Sequence, residues 1–265
     1  MPELPEVETE RGRLAPVLEG RRLSAVQIDD PRLTRPDDPA RVAGLLAGRR
    51  VERVDRRGKY LLLRLEDGLT LLVHLRMTGG FRYEPASHER AILELDDGRR
   101  IAYRDLRRFG TWTLLEPEEA DAHLGVRLGP EPLGGGFTAS FLADRLSGRR
   151  APIKAAILDQ RTVAGLGNIY ADEALWDAGI HPLRPAGELS AGEVAALRRG
   201  IRTALRRGIR RQGADLGDGT YAGGRMQHEF RVYGRLGEPC DRCGTPIEKT
   251  RAGGRGTWFC PSCQA

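Results

Sequence analysis

Lysine is almost missing from this chain. Of its 43 basic residues only Lys59, Lys154 and Lys249 are lysines, so the remaining lysines mark places where arginine does not serve. Cysteine is absent from the first 239 residues, which leaves that stretch without disulfides or thiolate metal sites. No run approaches the ~18 uninterrupted apolar residues of a membrane span. The acidic opening also lacks the basic and apolar regions of a secretory leader, so a soluble cytoplasmic protein is expected.

What the chain does have is size and positive charge. With 265 residues and 40% apolar content it can build sizeable cores, and two domains are the better prior. A net charge of +6 favours polyanionic partners, nucleic acid or an anionic membrane surface. The four cysteines fall as Cys240-x-x-Cys243, sixteen residues, then Cys260-x-x-Cys263. That spacing suits one tetrahedral zinc ion, each pair offering two thiolates from a tight turn. Four thiolates leave no open coordination position, so the ion is structural.

Local patterns divide the chain. Pro5, Glu6 and Glu8 favour a helix start, and Leu4, Val7, Leu14 and Leu18 give it an apolar stripe ending at Gly20. Runs at 51–54, 60–65, 69–75, 91–95 and 101–103, with turns at Asp67-Gly68 and Asp97-Gly98, predict antiparallel hairpins. Several runs lack polar alternation, which predicts two sheets packed face to face. A Gly- and Pro-rich linker is expected over 129–136. Beyond it come a helix over 153–160, a tight turn at 163–167, a helix capped by Asn168 and ended by Gly179, and a helix opened by the capping box of Ser190 and Glu193. The last carries Val194, Leu197, Ile201, Leu205 and Ile209 as its core stripe. Its other faces hold Arg198, Arg199, Arg202, Arg206, Arg207, Arg210 and Arg211, either a solvated face or a phosphate-binding one.

Six segments together resemble one family. They are Met1-Pro2-Glu3-Leu4-Pro5-Glu6, Arg57-Gly58-Lys59-Tyr60-Leu61, His74-Leu75-Arg76-Met77-Thr78-Gly79, Arg107-Arg108-Phe109-Gly110, Leu166-Gly167-Asn168-Ile169-Tyr170-Ala171-Asp172-Glu173, and the cysteine hairpin. In this order, from first residue to last, they are similar to the formamidopyrimidine-DNA glycosylases of bacteria. The resemblance implies an α+β multidomain architecture. A two-layer β-sandwich with flanking helices would span 1–130, a helix-two-turn-helix domain 131–224 and a zinc-finger β-hairpin 225–265.

It also implies chemistry. Family members are glycosylases and abasic-site lyases that attack C1′ of a damaged nucleotide with the amine of the proline left when Met1 is removed. An α-amino group titrates near ~8 and is about one-tenth neutral at pH 7, whereas an ordinary lysine near ~10.4 is neutral in fewer than about one copy in a thousand. A secondary amine on C1′ forms an iminium that holds its charge without a proton, and this sink acidifies the C2′ hydrogen for β,δ-elimination. The resemblance gives Glu3 the proton transfers at the sugar ring oxygen, Glu6 a supporting place and Lys59 contact with the lesion or its phosphate. Met77, Arg107 and Phe109 would fill the void left by the flipped nucleotide. Asn168 and Arg255, with His74 and Lys154 as weaker candidates, would hold the DNA backbone.

The implied protein is a monomeric base-excision-repair enzyme of the nucleoid. It would act on oxidised purines in double-stranded DNA, with one structural zinc and no redox cofactor. The loop at 213–224 departs from the family pattern, which opens the choice of lesion. Two alternatives remain at this point: an endonuclease VIII-type enzyme for oxidised pyrimidines, although Leu4 stands where that branch has glycine, and a DNA-binding relative without catalysis.

Overall fold

The computed structural model describes residues 1–217, 221 and 223–265. The chain forms two compact units. One comprises 1–125 with 215–223, the other 126–214 with 224–265.

The first unit begins with helix α1 (Leu4–Leu18), starting where Pro5 can occupy the first turn without wasting an N–H. Two four-stranded antiparallel sheets follow. The first has the order β1 (Leu23–Ile28), β6 (Glu89–Leu95), β7 (Arg100–Asp105), β5 (Gly79–Arg82). The second has the order β2 (Val51–Arg57), β3 (Tyr60–Leu65), β4 (Thr70–His74), β8 (Thr111–Leu115). Between them lies one core. Leu61, Leu63, Leu71 and Val73 of the second sheet join Leu93, Ile101 and Tyr103 of the first, with Val7, Leu14 and Leu18 of α1 packed in. Because Leu62 and Leu72 are also buried, β3 and β4 are covered on both faces, the physical reason their sequences do not alternate. Edge strand β5 has its Phe81 N–H covered by the buried Glu10 carboxylate of α1 at 2.7 Å. Helices α2 (Pro39–Leu46) and α3 (Glu119–Gly125) complete the unit.

The sequence reading predicts neither β1, β5 and β8 nor the helices α2 and α3. These elements are brief or mixed in composition, and tertiary pairing rather than periodicity defines them.

The second unit contains α4 (Ala139–Leu146), α5 (Ile153–Leu158), α6 (Asn168–Ala178) and α7 (Ala191–Arg210), then the hairpin β9 (Glu248–Ala252) and β10 (Arg255–Phe259). The capping box of Ser190 and Glu193 is present, and left-handed Gly179 closes α6. Two glycines inside α7 let it approach α6: a Cβ on Gly200 would stand 2.5 Å from the Ala174 carbonyl oxygen, and one on Gly208 would stand 2.4 Å from the Tyr170 ring. The arginines of α7 correct the sequence expectation. Arg207 is buried and ion-paired with Glu173 at 2.8 Å and Asp177 at 3.7 Å, not displayed. Arg198 donates to the Phe137 carbonyl, and Arg202 to the carbonyls of Pro132, Leu133 and Gly134, so both staple the glycine-rich segment before α4. Arg199, Arg206 and Arg210 remain exposed.

Candidate active site and nucleic-acid interface

In the first unit, Pro2 and Glu3 are buried immediately before α1 and Met1 is half-buried. The Glu3 N–H donates to Glu6 Oε2 at 2.8 Å, so the second carboxylate fixes the backbone at the helix entrance. Both carboxyl groups sit at the positive end of the helix macrodipole. Lys59 lies in the β2–β3 turn, where Gly58 has φ +57, and is buried, with 6% exposure. Arg56 ties this turn to α1 by donating to Glu8 at 2.8 Å and to the Gly58 carbonyl at 3.1 Å.

His74 pairs in register with Tyr60 across β3 and β4, the rings meeting edge to face at 4.6 Å. Burial, then the positive charges of Arg76 and Lys59, pull its pKa down to about 3. Its Nδ1 accepts the Arg76 N–H at 3.0 Å, which leaves the ring proton on Nε2. The side chain is therefore a neutral donor, not a cation.

Two loops project the candidate wedge residues. Met77 is half-buried, while Leu106, Arg107 and Phe109 are exposed, with the Arg107 guanidinium over the Phe109 ring at 5.0 Å. A buried acid that the sequence reading missed joins the loops. Asp105 Oδ1 accepts the Thr78 hydroxyl, whose oxygen accepts the Arg107 N–H at 2.9 Å, and Asp105 Oδ2 accepts the Gly110 N–H at 2.7 Å. Arg76 and Arg108 have φ of +52 and +59, an uncommon region for side-chain-bearing residues, and they flank Met77 and Phe109. Arg108 turns back to Asp30 in a bidentate pair of 2.5 and 2.8 Å that lowers the Asp30 pKa. An acid ending an apolar strand, just before a basic and aromatic loop, was the available signal for Asp105.

The second unit corrects two expectations. Lys154, expected at the DNA backbone, is fully buried and paired with Asp172 at 2.7 Å, so its ammonium is engaged by the protein rather than displayed. Asn168 is the first residue of α6, with Gly167 at the cap position, and its Nδ2 donates to the Gly256 carbonyl at 3.1 Å. Glu173, also buried, accepts the successive N–H groups of Arg231, Val232 and Tyr233 at 3.0, 3.0 and 3.1 Å. The α6 motif thus binds the hairpin region along its length. Arg255 is exposed where the hairpin reverses, next to Gly253 and Gly254, whose φ of +55 and +77 suit a two-residue turn.

The four cysteine sulfurs lie within 4.8 Å of one another, with Cys240 to Cys263 at 3.9 Å and Cys243 to Cys260 at 3.5 Å. Four sulfurs ~2.3 Å from one tetrahedral zinc stand about 3.8 Å apart, so the set fits the ion. N–H groups of Trp176, Arg242 and Cys263 point at the sulfurs of Cys240 and Cys260, which favours thiolate. The site holds one structural zinc.

Among the described residues no helix is long and apolar enough to cross a membrane. The expectation for the 213–224 loop rests partly on residues 218–220 and 222, which lie outside the described residues. Tyr221 within it is buried, with the Arg13 guanidinium 5.9 Å from its ring.

A sandwich with acids at its leading helix and a separate unit with a zinc hairpin defines a class of zinc-finger DNA glycosylases. Three family models match in chain order: the formamidopyrimidine-DNA glycosylase N-terminal domain over 1–112, its H2TH domain over 128–218, and the zinc finger found in FPG and IleRS over 237–265. The chain belongs to the formamidopyrimidine-DNA glycosylase family. The Chloroflexus aggregans formamidopyrimidine-DNA glycosylase is 50% identical, covering 100% of this chain and 98% of the relative. The crystal structure of the Thermus thermophilus MutM (Fpg) protein is 45% identical with a TM-score of 0.90, covering 99% of this chain and 98% of that one. A Lactococcus lactis Fpg variant in complex with DNA containing Fapy-dG is 35% identical with a TM-score of 0.93, covering 99% of each.

Proposed function

We propose that this chain is a bifunctional DNA glycosylase and abasic-site lyase of base excision repair, acting in the cytoplasm on oxidised purines in duplex DNA. The observation that carries the reading is Pro2-Glu3 buried at the entrance of α1, in a chain matched by the family's models in all three parts. Removal of Met1 converts the Pro2 nitrogen from an amide to a secondary amine, and the positive helix end disfavours a second positive charge there, keeping the amine reactive.

The amine attacks C1′, the bond to the base breaks, and the base leaves with its electron pair and gains a proton. Glu3 protonates the ring oxygen as the C1′–O4′ bond opens, which generates the iminium. Loss of a C2′ proton then expels the 3′ phosphate, and a second elimination expels the 5′ phosphate. Lys59 and the Nε2–H of neutral His74 hold phosphate beside the reacting sugar. Met77, Arg107 and Phe109 enter the stack. Arg255, with the α6 entrance at Asn168, grips the backbone from the second unit. The parts 1–130, 131–224 and 225–265 divide these tasks.

Borohydride reduction during turnover of an 8-oxoguanine duplex tests the reading. Wild type is expected to freeze as a covalent protein-DNA adduct, and Glu3→Gln to excise far more slowly. A wild-type protein that binds the duplex yet gives no adduct, or a Glu3→Gln variant as fast as wild type, overturns the assignment.

A further inference from the structure

Lys154 on α5 is fully buried, yet the chemistry above makes no use of it. Its Nζ meets three acceptors: Asp172 Oδ1 at 2.7 Å, the Gly256 carbonyl at 2.9 Å and Thr257 Oγ1 at 2.9 Å. Asp172 is fully buried as well, and its other oxygen accepts the Trp258 N–H at 3.1 Å. The Gly256 carbonyl takes a second donor from Asn168, and the Thr257 hydroxyl also lies 3.0 Å from the Arg255 carbonyl. Three consecutive residues, 256–258, are thereby tied to two helices, and the Arg255 carbonyl is tied to Thr257. The turn itself is seated on α5, since a Cβ on Gly253 would come within 3.0 Å of the Ala155 methyl. At the end of this fixed segment stands Arg255, its side chain in solvent.

A buried ion pair of this kind is weak grounds for stability, because desolvation of the two charges offsets most of their attraction and well-packed apolar replacements are often neutral. Burial drives the Asp172 pKa up to about 7 even against the opposing pull of Lys154, which marks how much the site resists the charge it holds. Two directed hydrogen bonds and an ion pair on one compact ammonium do something apolar side chains cannot: they set the orientation of a strand backbone. Arginine would bring a planar fork too wide for this convergence of acceptors, which accounts for a lysine in a chain that otherwise avoids it.

We propose that Lys154 and Asp172 are positioning residues for Arg255, fixing the 255–258 backbone so that the guanidinium meets DNA phosphate without ordering the hairpin tip during binding. The inference rests on the reading that Arg255 grips DNA.

A double-mutant cycle separates the two. Binding to a duplex with a tetrahydrofuran abasic-site analogue is measured for wild type, Arg255→Ala, the paired apolar swap Lys154→Met with Asp172→Leu, and their combination. Arg255→Ala is expected to weaken binding about tenfold and to lower the salt slope by about one. The swap should weaken binding nearly as much in the wild-type background but less than about twofold in the Arg255→Ala background, with zinc content unchanged. Equal losses in both backgrounds, or no loss in either, overturn the positioning role. Unchanged affinity in Arg255→Ala overturns the DNA-contact reading itself and leaves nothing to position. Thr257→Val, nearly isosteric, removes one acceptor of Lys154 and supplies the same cycle should the paired swap fail to fold.

Discussion

Asp105→Ala tests whether the two loops that carry the proposed wedge residues act as one body. The carboxylate is 1% exposed and accepts the Thr78 hydroxyl on one oxygen and the Gly110 N–H on the other. Through Thr78 it also orders the Arg107 N–H, so its loss disturbs three donors. Two hydrogen bonds to a charged acceptor at about 1.5–3 kcal/mol each put the cost of alanine at about 3–6 kcal/mol. Asp105→Asn keeps one carbonyl for Gly110 and turns an amide toward the Thr78 oxygen, so about 1–2 kcal/mol is expected. For a unit of this size each kcal/mol moves Tm by about 3–5 °C, giving a drop near 5 °C for asparagine and 10 °C or more for alanine by calorimetry. Function should split as well. Excision of 8-oxoguanine from duplex should fall well beyond the loss in borohydride trapping on single-stranded abasic DNA, which has no stack to wedge open. An Asp105→Ala protein melting within about 2 °C of wild type refutes the estimate, and equal losses on both substrates refute the coupling.

Other expectations can be checked directly. With a pKa near 3, His74 stays neutral in the fold while the unfolded chain protonates near 6.5, so stability falls as pH drops below about 6.5; between pH 7.5 and 5 the loss is about 2 kcal/mol, and His74→Asn, which keeps an acceptor for Arg76, should not show it in denaturant melts. Elemental measurement should find one zinc per chain, and its removal should change the fluorescence of Trp176, whose indole N–H points at Cys240, while strand signals of the sandwich persist. Gly200→Ala should destabilise the second unit by about 1–3 kcal/mol despite a gain in helix propensity, because the new methyl meets a backbone carbonyl that cannot move aside; a stabilised variant contradicts the close approach.

Much of this molecule was legible before any coordinates. The cysteine spacing, the capping box at Ser190 and the first helix follow from short-range chemistry, which a linear sequence displays. Asn168 and Lys154 show what it hides. Both are polar residues in family motifs, and both face a strand about 90 to 100 residues further on, a pairing that only the tertiary fold brings about. The scarcity of lysine was a partial guide: Lys59 and Lys154 are buried, whereas Lys249 is exposed. Asp105, Asp172 and Glu173 escaped attention as binding groups because a buried acid and a solvated one are spelled alike.

The arginines that grasp the protein's own carbonyls and carboxylates around α7 change how the chain's charge should be weighed. Arg198, Arg202, Arg207 and Arg211 spend their guanidinium groups on this protein's own oxygens. Fewer counterions are therefore displaced from a polyanion than a composition so rich in arginine suggests. Loose, sequence-blind association with undamaged duplex should fade at modest ionic strength, leaving the enzyme free to move on between lesions.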